Sequence, residues 1–478
     1  LSRLADDDAE VAEWLIQSSF VAKEELWEPE KALAGFRRAL EHDPTRLDAF
    51  KQVTSLLVDA KDWEGLEAAY LQLINANLEL ENPDSRLLAV LWQKLGDLYI
   101  NHLEREEEAL TAYDQASDFQ PDNIQLRDET AKLAEDKPDH AEVALKHLNR
   151  IRELDPTRID TFDRIGRVLL RQKKVDPAFC HFRAYRAAGG QLDGKAKEFV
   201  DRLNRSLLEI PRRPMDMSLL KRFVVSNDVV AEISTVFRII KPALEDWVGE
   251  SRKKYGLGWR DTVKLKEQLA FNNLYKQIGD VLGFEELPQL WRKPEQDGLI
   301  NGALQPPGMI VGDELLGSGR ERHIAFVVGK QLTLFMEAFY LAAIRQKTDL
   351  QVFYLLAAQL VKPEFSFQQD QRTKDVYKLI KKTVKGDEKR RLTRAIESSM
   401  TDNMQEQIDR WVEAVEDTAN RVGFIFCDDL EVVRDYLNNE PQQISDRSVD
   451  ERMKDLIEYS VSDRYLTLRQ ELGKTVGN

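Results

Sequence analysis

Two cysteines and six histidines are the residues of this 478-residue chain best suited to nucleophilic or metal chemistry. Cys180 and Cys427 lie in different halves, offer no disulfide framework, and fit a reducing, cytoplasmic setting. Cys180 sits between Ala178 and Phe182 on an apolar face and reads as a small buried filler. Cys427 follows the apolar run 422–426 and precedes Asp428-Asp429. A nucleophile there would need a base supplied through space, since no histidine is near it in sequence. The histidines are at 42, 102, 140, 147, 181 and 323, and no two are four residues apart, so no helical metal-binding pair is available. His140 and His147 could share a helix face, but two turns separate them by about 10 Å, too far for one metal. His323 reads as a surface or capping residue. Glycines 312, 317 and 319 flank a helix start without the GxxxxGK[ST] phosphate-binding text, so they read as turn residues. Lys381, Lys382, Lys385, Lys389, Arg390, Arg391 and Arg394 form a basic run interleaved with Asp387 and Glu388. That run reads as an exposed helix face and turn, with docking to an acidic partner or anionic membrane as the alternative. No metal or cofactor is expected.

The elements that would position any site are helical and repeat. Trp92, Leu95, Gly96 and Tyr99 pace one helix; Ala109, Tyr113, Ala116 and Pro121 pace the next. Gly96 permits close helix approach, Trp92 and Tyr99 fill the space beside it, and Pro121 stops the second helix. The intervals of four, three and five recur at Ala32, Phe36, Ala39 and Pro44, and at Ala144, Leu148, Ile151 and Pro156. A further unit carries Phe162, Ile165, Gly166 and Leu169, then Ala178, Phe182 and Tyr185. A weaker one runs through Phe50, Val53, Leu57, Leu66, Tyr70 and Leu73 to Pro83. Prolines 44, 83, 121 and 156 are 39, 38 and 35 residues apart. These residues resemble the tetratricopeptide repeat signature, and five repeats are expected over about residues 10–190.

The chain is too long for that array alone, so a second domain must follow. Its net charge of −15 and 42% hydrophobic content describe a folded acidic protein and disfavour nucleic acid as a partner. No run of 18 apolar residues is present, so no membrane span is expected. The chain opens on Leu1 with no polar cap before its first repeat, which suggests further repeats upstream. Composition shifts at Ile210-Pro211-Arg212-Arg213-Pro214. The expected layout is a repeat solenoid over 1–204, a linker over 205–217 and a helical domain over 218–478.

In stacked helix pairs the first helices line a concave groove where a partner peptide lies. Helical spacing sends Gln93, Asp97 and Asn101 into that groove from the third repeat. Lys51, Ser55 and Asp59 do the same from the second, and Asp163, Arg167 and Arg171 from the fifth. A lysine–asparagine–arginine clamp for chaperone tails, known in some such repeats, is not matched, since Ser55 and Asp97 stand where asparagines are wanted.

Beyond residue 217 the periodicity is largely helical, with amphipathic segments over 405–419 and 454–472. One region departs from this: NGALQPPGMIVGDELL, residues 301–316, reads as a turn, a short edge strand over 309–311 and a helix start. It resembles the edge-strand segment of zinc metallopeptidases of the CAAX prenyl endopeptidase type. In that family the next helix carries HExxH, two zinc-binding histidines and a water-activating glutamate. Here the helix over 322–335 has the right rhythm, but the motif positions read Gly329, Lys330, Gln331, Leu332 and Thr333. Both histidines and the glutamate are gone. EDTANRVG, 416–423, is similar to the family's third-ligand segment, which makes Glu416 the counterpart of a zinc ligand, with Asn420 replacing an aspartate. The resemblance spans about residues 301–437 and implies a degenerate, gluzincin-like core without peptidase chemistry: Gly329, Lys330, Thr333 and Glu416 are the remnant site.

The expected protein is mainly α, a five-repeat superhelix followed by a helical domain with a small β element. It is expected to be a non-catalytic scaffold or adaptor, binding a protein or peptide in the repeat groove. The alternative is a hydrolase using Glu416, Lys330 and Cys427. An open cleft would favour the hydrolase; a closed, packed interior would make the cluster structural.

Overall fold

The computed structural model describes residues 8–203, 208–226, 229–266, 269–363, 370–400 and 403–477. The chain divides into two compact units, Leu1–Lys174 and Val175–Asn478.

The first unit is a run of antiparallel helices. They are α1 (Asp8–Glu24), α2 (Pro29–His42), α3 (Leu47–Asp59), α4 (Trp63–Leu78), α5 (Ser85–Leu98), α6 (Glu106–Phe119), α7 (Ile124–Ala134), α8 (Ala141–Leu154) and α9 (Asp160–Arg171). Each helix packs chiefly on its neighbour in sequence, the pairing of a tetratricopeptide-type array. The repeated interval residues are its core: Ala32, Phe36, Ala39, Ala109, Tyr113, Ala116, Ala144, Leu148 and Ile151 are all buried. Gly96 has the close approach its type implies, because a Cβ there would stand 2.7 Å from the Tyr113 ring. Trp92 is only half-buried, so Leu95 and Tyr99 carry more of the packing beside Gly96 than it does.

Side chains punctuate the helices. Asp62 caps α4 by accepting from the Gly65 amide, Asp84 caps α5 through the amides of Arg86 and Leu87, and Asn123 caps α7 through Leu126. The turns joining first to second helix share one device: Trp27, Lys61 and Glu104 each take left-handed backbone angles, with φ of 56°, 56° and 54°. Before Glu104, α5 runs on through a π-helical turn, Tyr99–Leu103. The fourth hairpin uses a 3-10 turn, Pro138–His140, instead.

The second unit starts earlier than the composition shift suggests. Helix Val175–Ala187 carries Ala178 and Phe182 at repeat positions, yet its polar side chains tie it to the C-terminal end of the chain. Asp176 accepts from Arg469 at 2.8 Å, and Arg183 and Arg469 reach the Asp428 carboxylate at 3.1 and 3.0 Å. The repeat pattern therefore runs past the point where the compact units divide.

A small β element stands among the remaining helices. Strands β1 (Glu250–Ser251), β2 (Gln289–Arg292), β3 (Leu299–Gly302), β4 (Leu304–Gln305) and β5 (Gly308–Val311) form a β1–β4 pair and a sheet of order β2-β5-β3. β5 runs parallel to β2 and antiparallel to β3. The strand expected at the edge is thus the central one, and all four of its residues are buried. The amphipathic segment expected over 454–472 is two helices, Val449–Ser460 and Asp463–Glu471. Ser462 ends the first and caps the second.

Candidate functional site

The nine expected groove residues divide into two classes. Lys51, Ser55, Asp59 and Asn101 are exposed and Gln93 is half-buried; none has a side-chain hydrogen bond or ion pair among the described residues. The other four are committed within the protein. Asp97 accepts from the Tyr113 hydroxyl at 2.8 Å and pairs with Lys94 at 3.3 Å. Asp163 and Arg167 pair with each other at 2.7 Å, and Arg171 donates to the Glu135 carbonyl at 2.6 Å and pairs with Asp136. The open side chains lie on α3, α5 and the turn after α5; the committed pairs at 163–171 brace α9.

The first unit also holds a buried polar relay that sequence reading passed over. His147 is fully buried on α8, 2.9 Å from Asp114 on α6 and 3.2 Å from the buried Arg127 guanidinium on α7. The His147 bond, partly opposed by burial and aided by Lys146, holds the Asp114 carboxyl down at about 2. Arg127 also donates to the Pro121 and Ser117 carbonyls, so it closes the end of α6. The relay ties three successive helices together.

In the second unit, helices Glu321–Phe335 and Met404–Cys427 are the most extensively packed pair. Their backbones touch at two glycines. A Cβ on Gly329 would lie 3.2 Å from the Gly423 Cα, and one on Gly423 would lie 2.7 Å from the Phe326 carbonyl oxygen. Gly329 is therefore a packing residue at a helix crossing. Thr333 is equally enclosed, with its hydroxyl donating to the Gly329 carbonyl at 2.8 Å.

Next to Gly329, and two turns before Gly423, Lys330 and Glu416 face each other inside the protein. Their charged atoms are 3.9 Å apart and both side chains are 0% exposed. Glu440, on the segment after helix Leu430–Asn438, hydrogen-bonds the Lys330 ammonium. Arg452 approaches Glu416 at 3.7 Å and bonds Glu440. Ser445 Oγ and the Ile444 amide complete the Glu416 shell. Two cations thus balance two carboxylates in a buried cluster, and among the described residues no group of histidine, cysteine and carboxylate side chains could hold a metal. Asn301 on β3 donates to the Gln331 side chain at 2.6 Å, so the segment 301–316 is joined to the same helix.

Cys427 closes helix Met404–Cys427 with no exposure, and burial pushes its thiol up to about 12. Cys180 is buried as well and pushed up to about 12 by the same cause. Burial of this kind disfavours the thiolate that nucleophilic chemistry needs. His323 is half-buried, edge-on to the Tyr436 ring, and burial lowers its pKa. The basic residues of 381–394 are all exposed, on helices Gln371–Thr383 and Gly386–Ser399 and the turn between them. Glu440, Arg452 and Ser445 were not singled out from sequence. The one available signal was a charged residue, Arg452, beside Met453 and Leu456 on an otherwise apolar face.

No family model matches the chain, and no curated protein matches it either. Solved structures of repeat proteins are similar to part of it. YrrB, described as a TPR protein with an unusual peptide-binding site, aligns at 19% identity over 40% of this chain and 91% of its own, with a TM-score of 0.24. MamA aligns at 14% identity over 38% and 95%, TM-score 0.23, and PilF of Pseudomonas aeruginosa at 16% over 41% and 83%, TM-score 0.22. At these scores they add nothing to the repeat assignment, which rests on the helix pairing itself.

Proposed function

We propose that this chain is a non-catalytic scaffold that holds a polypeptide along the first-helix face of its repeats. The reading is carried by one observation: a helical repeat array whose polar side chains at Lys51, Ser55, Asp59, Gln93 and Asn101 are left uncommitted among the described residues. Polar groups at regular spacing on a rigid surface suit an extended peptide, whose backbone needs donors and acceptors at intervals. Asp97, Asp163, Arg167 and Arg171 then act by bracing that surface. We take the array to run over 1–204, with 205–217 as a linker, and assign the cytoplasm as its setting.

The second unit, on this proposal, is a degenerate peptidase-like module over 301–437. Its former catalytic region is filled by the neutral cluster of Lys330, Glu416, Glu440 and Arg452. Hydrolysis needs a base or nucleophile that reaches substrate, and these groups are paired with each other inside a closed interior. A hydrolase reading has no comparable support.

The test is cross-linking mass spectrometry on the full chain carrying K51E, Q93A and N101A. A peptide or protein cross-linked to α3 and α5 of the parent chain should be lost at least about tenfold, a change of about 1.4 kcal/mol. Retention of every cross-linked partner would remove the groove from the proposal.

A further inference from the structure

Residues 250–266 of the second unit, ESRKKYGLGWRDTVKLK, hold six cations against two carboxylates in a chain whose net charge is −15. Arg252, Lys253, Lys254, Arg260, Lys264 and Lys266 are all exposed. Trp259 stands among them at 70% exposure, the most exposed large apolar side chain of its unit among the described residues. A tryptophan left in water at this level needs a reason, since burying it would be worth more than almost any other side chain.

The segment is built, with its apolar anchors underneath. Leu257 is buried in a small cluster with Trp291, Leu304 and Ile310. β1 pairs with β4 at one end, and the Val263 amide donates to the Leu290 carbonyl at the other. Between them are two 3-10 turns, Arg252–Tyr255 and Trp259–Asp261. Gly256 takes a φ of 75° between the turns, which L side chains adopt only with strain. The Asp261 carboxylate accepts from the Gly258 amide at 2.6 Å, and the Thr262 hydroxyl donates to the Trp259 carbonyl at 3.1 Å. Two cations are used internally: Lys254 pairs with Glu250 at 2.6 Å, and the Arg252 guanidinium lies 5.3 Å over the Trp291 ring. Lys253, Arg260, Lys264 and Lys266 have no ion pair among the described residues.

We infer that this loop is a docking surface for an anionic phospholipid membrane, with Trp259 seated at the headgroup level and the cations on lipid phosphates and carboxylates. Three features favour a membrane over other anionic partners. Arg252, Lys253, Lys254, Trp259 and Arg260 come from two 3-10 turns, whereas peptide recognition uses grooves or strand edges. The Arg260 guanidinium lies 5.1 Å over the Trp259 ring, so an apolar ring and a cation are offered at one spot, as the boundary between lipid tails and headgroups requires. A lone tryptophan beside basic residues is the composition that sits at a lipid–water interface. The acidic remainder of the chain adds contrast: a net charge of −15 opposes approach to an anionic surface, and a cationic loop offsets that locally.

The test is co-sedimentation of the full chain with vesicles of phosphatidylcholine alone and with about one-third phosphatidylserine. Binding to the serine-containing vesicles should exceed that to neutral ones at least about tenfold at low salt and fall steeply as salt rises. W259A should weaken it several-fold and K253E/R260E should abolish it, while K381E/R390E on the other basic face leaves it in place. These positions are exposed, and circular dichroism verifies that each variant is folded. Equal binding to both vesicle types overturns the inference, as does full binding by K253E/R260E. So does tighter binding to polyglutamate or to a single-stranded oligonucleotide than to the vesicles.

Discussion

Lys330 shows how a buried charge is tolerated. Its ammonium is fully buried, and among the described residues Glu416, Glu440 and the Tyr436 ring face at 5.9 Å compensate it. Removing one partner of such a cluster leaves an uncompensated ion, so K330M or E416Q should each cost about 3–5 kcal/mol by urea denaturation. The double variant K330M/E416Q should cost clearly less than the sum, because Glu440 and Arg452 remain a neutral pair. Additive costs would mean that the four groups act independently. Asp417, one residue on from Glu416, makes a different prediction. It is bonded to Arg447, but burial, reinforced by the nearby Asp455 charge, pushes its carboxyl up to about 7. A folded-state pKa above the unfolded value of about 4 means that the folded protein binds the proton more tightly. Its contribution is full below about pH 4 and is lost as pH rises to about 7. Urea midpoints of D417N should therefore fall less between pH 5 and pH 7 than those of the parent. A parallel fall would assign the slope to other groups.

At the scale of elements, the repeats were legible because each helix position has one packing role. Small residues at 32, 39, 109, 116 and 144 and aromatics at 36 and 113 are buried where their spacing puts them. The second unit was less legible. Glycine at 329 reads equally as a lost ligand or as a contact point, and only the Gly423 backbone opposite it decides between these. The groups that complete the cluster, Glu440 and Ser445, come from an irregular segment with no periodicity to read. Helix Val175–Ala187 belongs to the second compact unit, and the partners of its Asp176 and Arg183 ion pairs lie about 250 to 290 residues away, a separation that no local pattern reveals. The glycine crossing has a direct consequence. G423A should destabilise by about 1–3 kcal/mol, since its methyl meets a backbone carbonyl that has nowhere to go. G329H/T333H, which rewrites two of the motif positions as histidines, should bind no stoichiometric zinc and should lower the melting temperature. Zinc retained at one equivalent in that variant would show that the crossing opens. In the first unit, Lys61 occupies left-handed backbone space that favours glycine, so K61G should raise stability by about 0.5 kcal/mol.

Across the whole molecule, the two compact units have separate hydrophobic cores, one through Phe36, Leu57, Leu95 and Tyr113 and one through Phe237, Tyr354 and Trp411. Separate cores predict separable unfolding. Calorimetry should show two transitions, with G96A moving one and G423A the other; a single transition shifted by both would mean that the units unfold together. Both cysteines lie in the second unit, at positions 180 and 427, and both are buried. The protein consequently carries a natural reporter. A thiol-reactive dye stays silent while the second unit is closed, ignores any opening confined to the repeats before residue 175, and reads out, without engineered labels, whether capture of a partner by the first unit loosens the second.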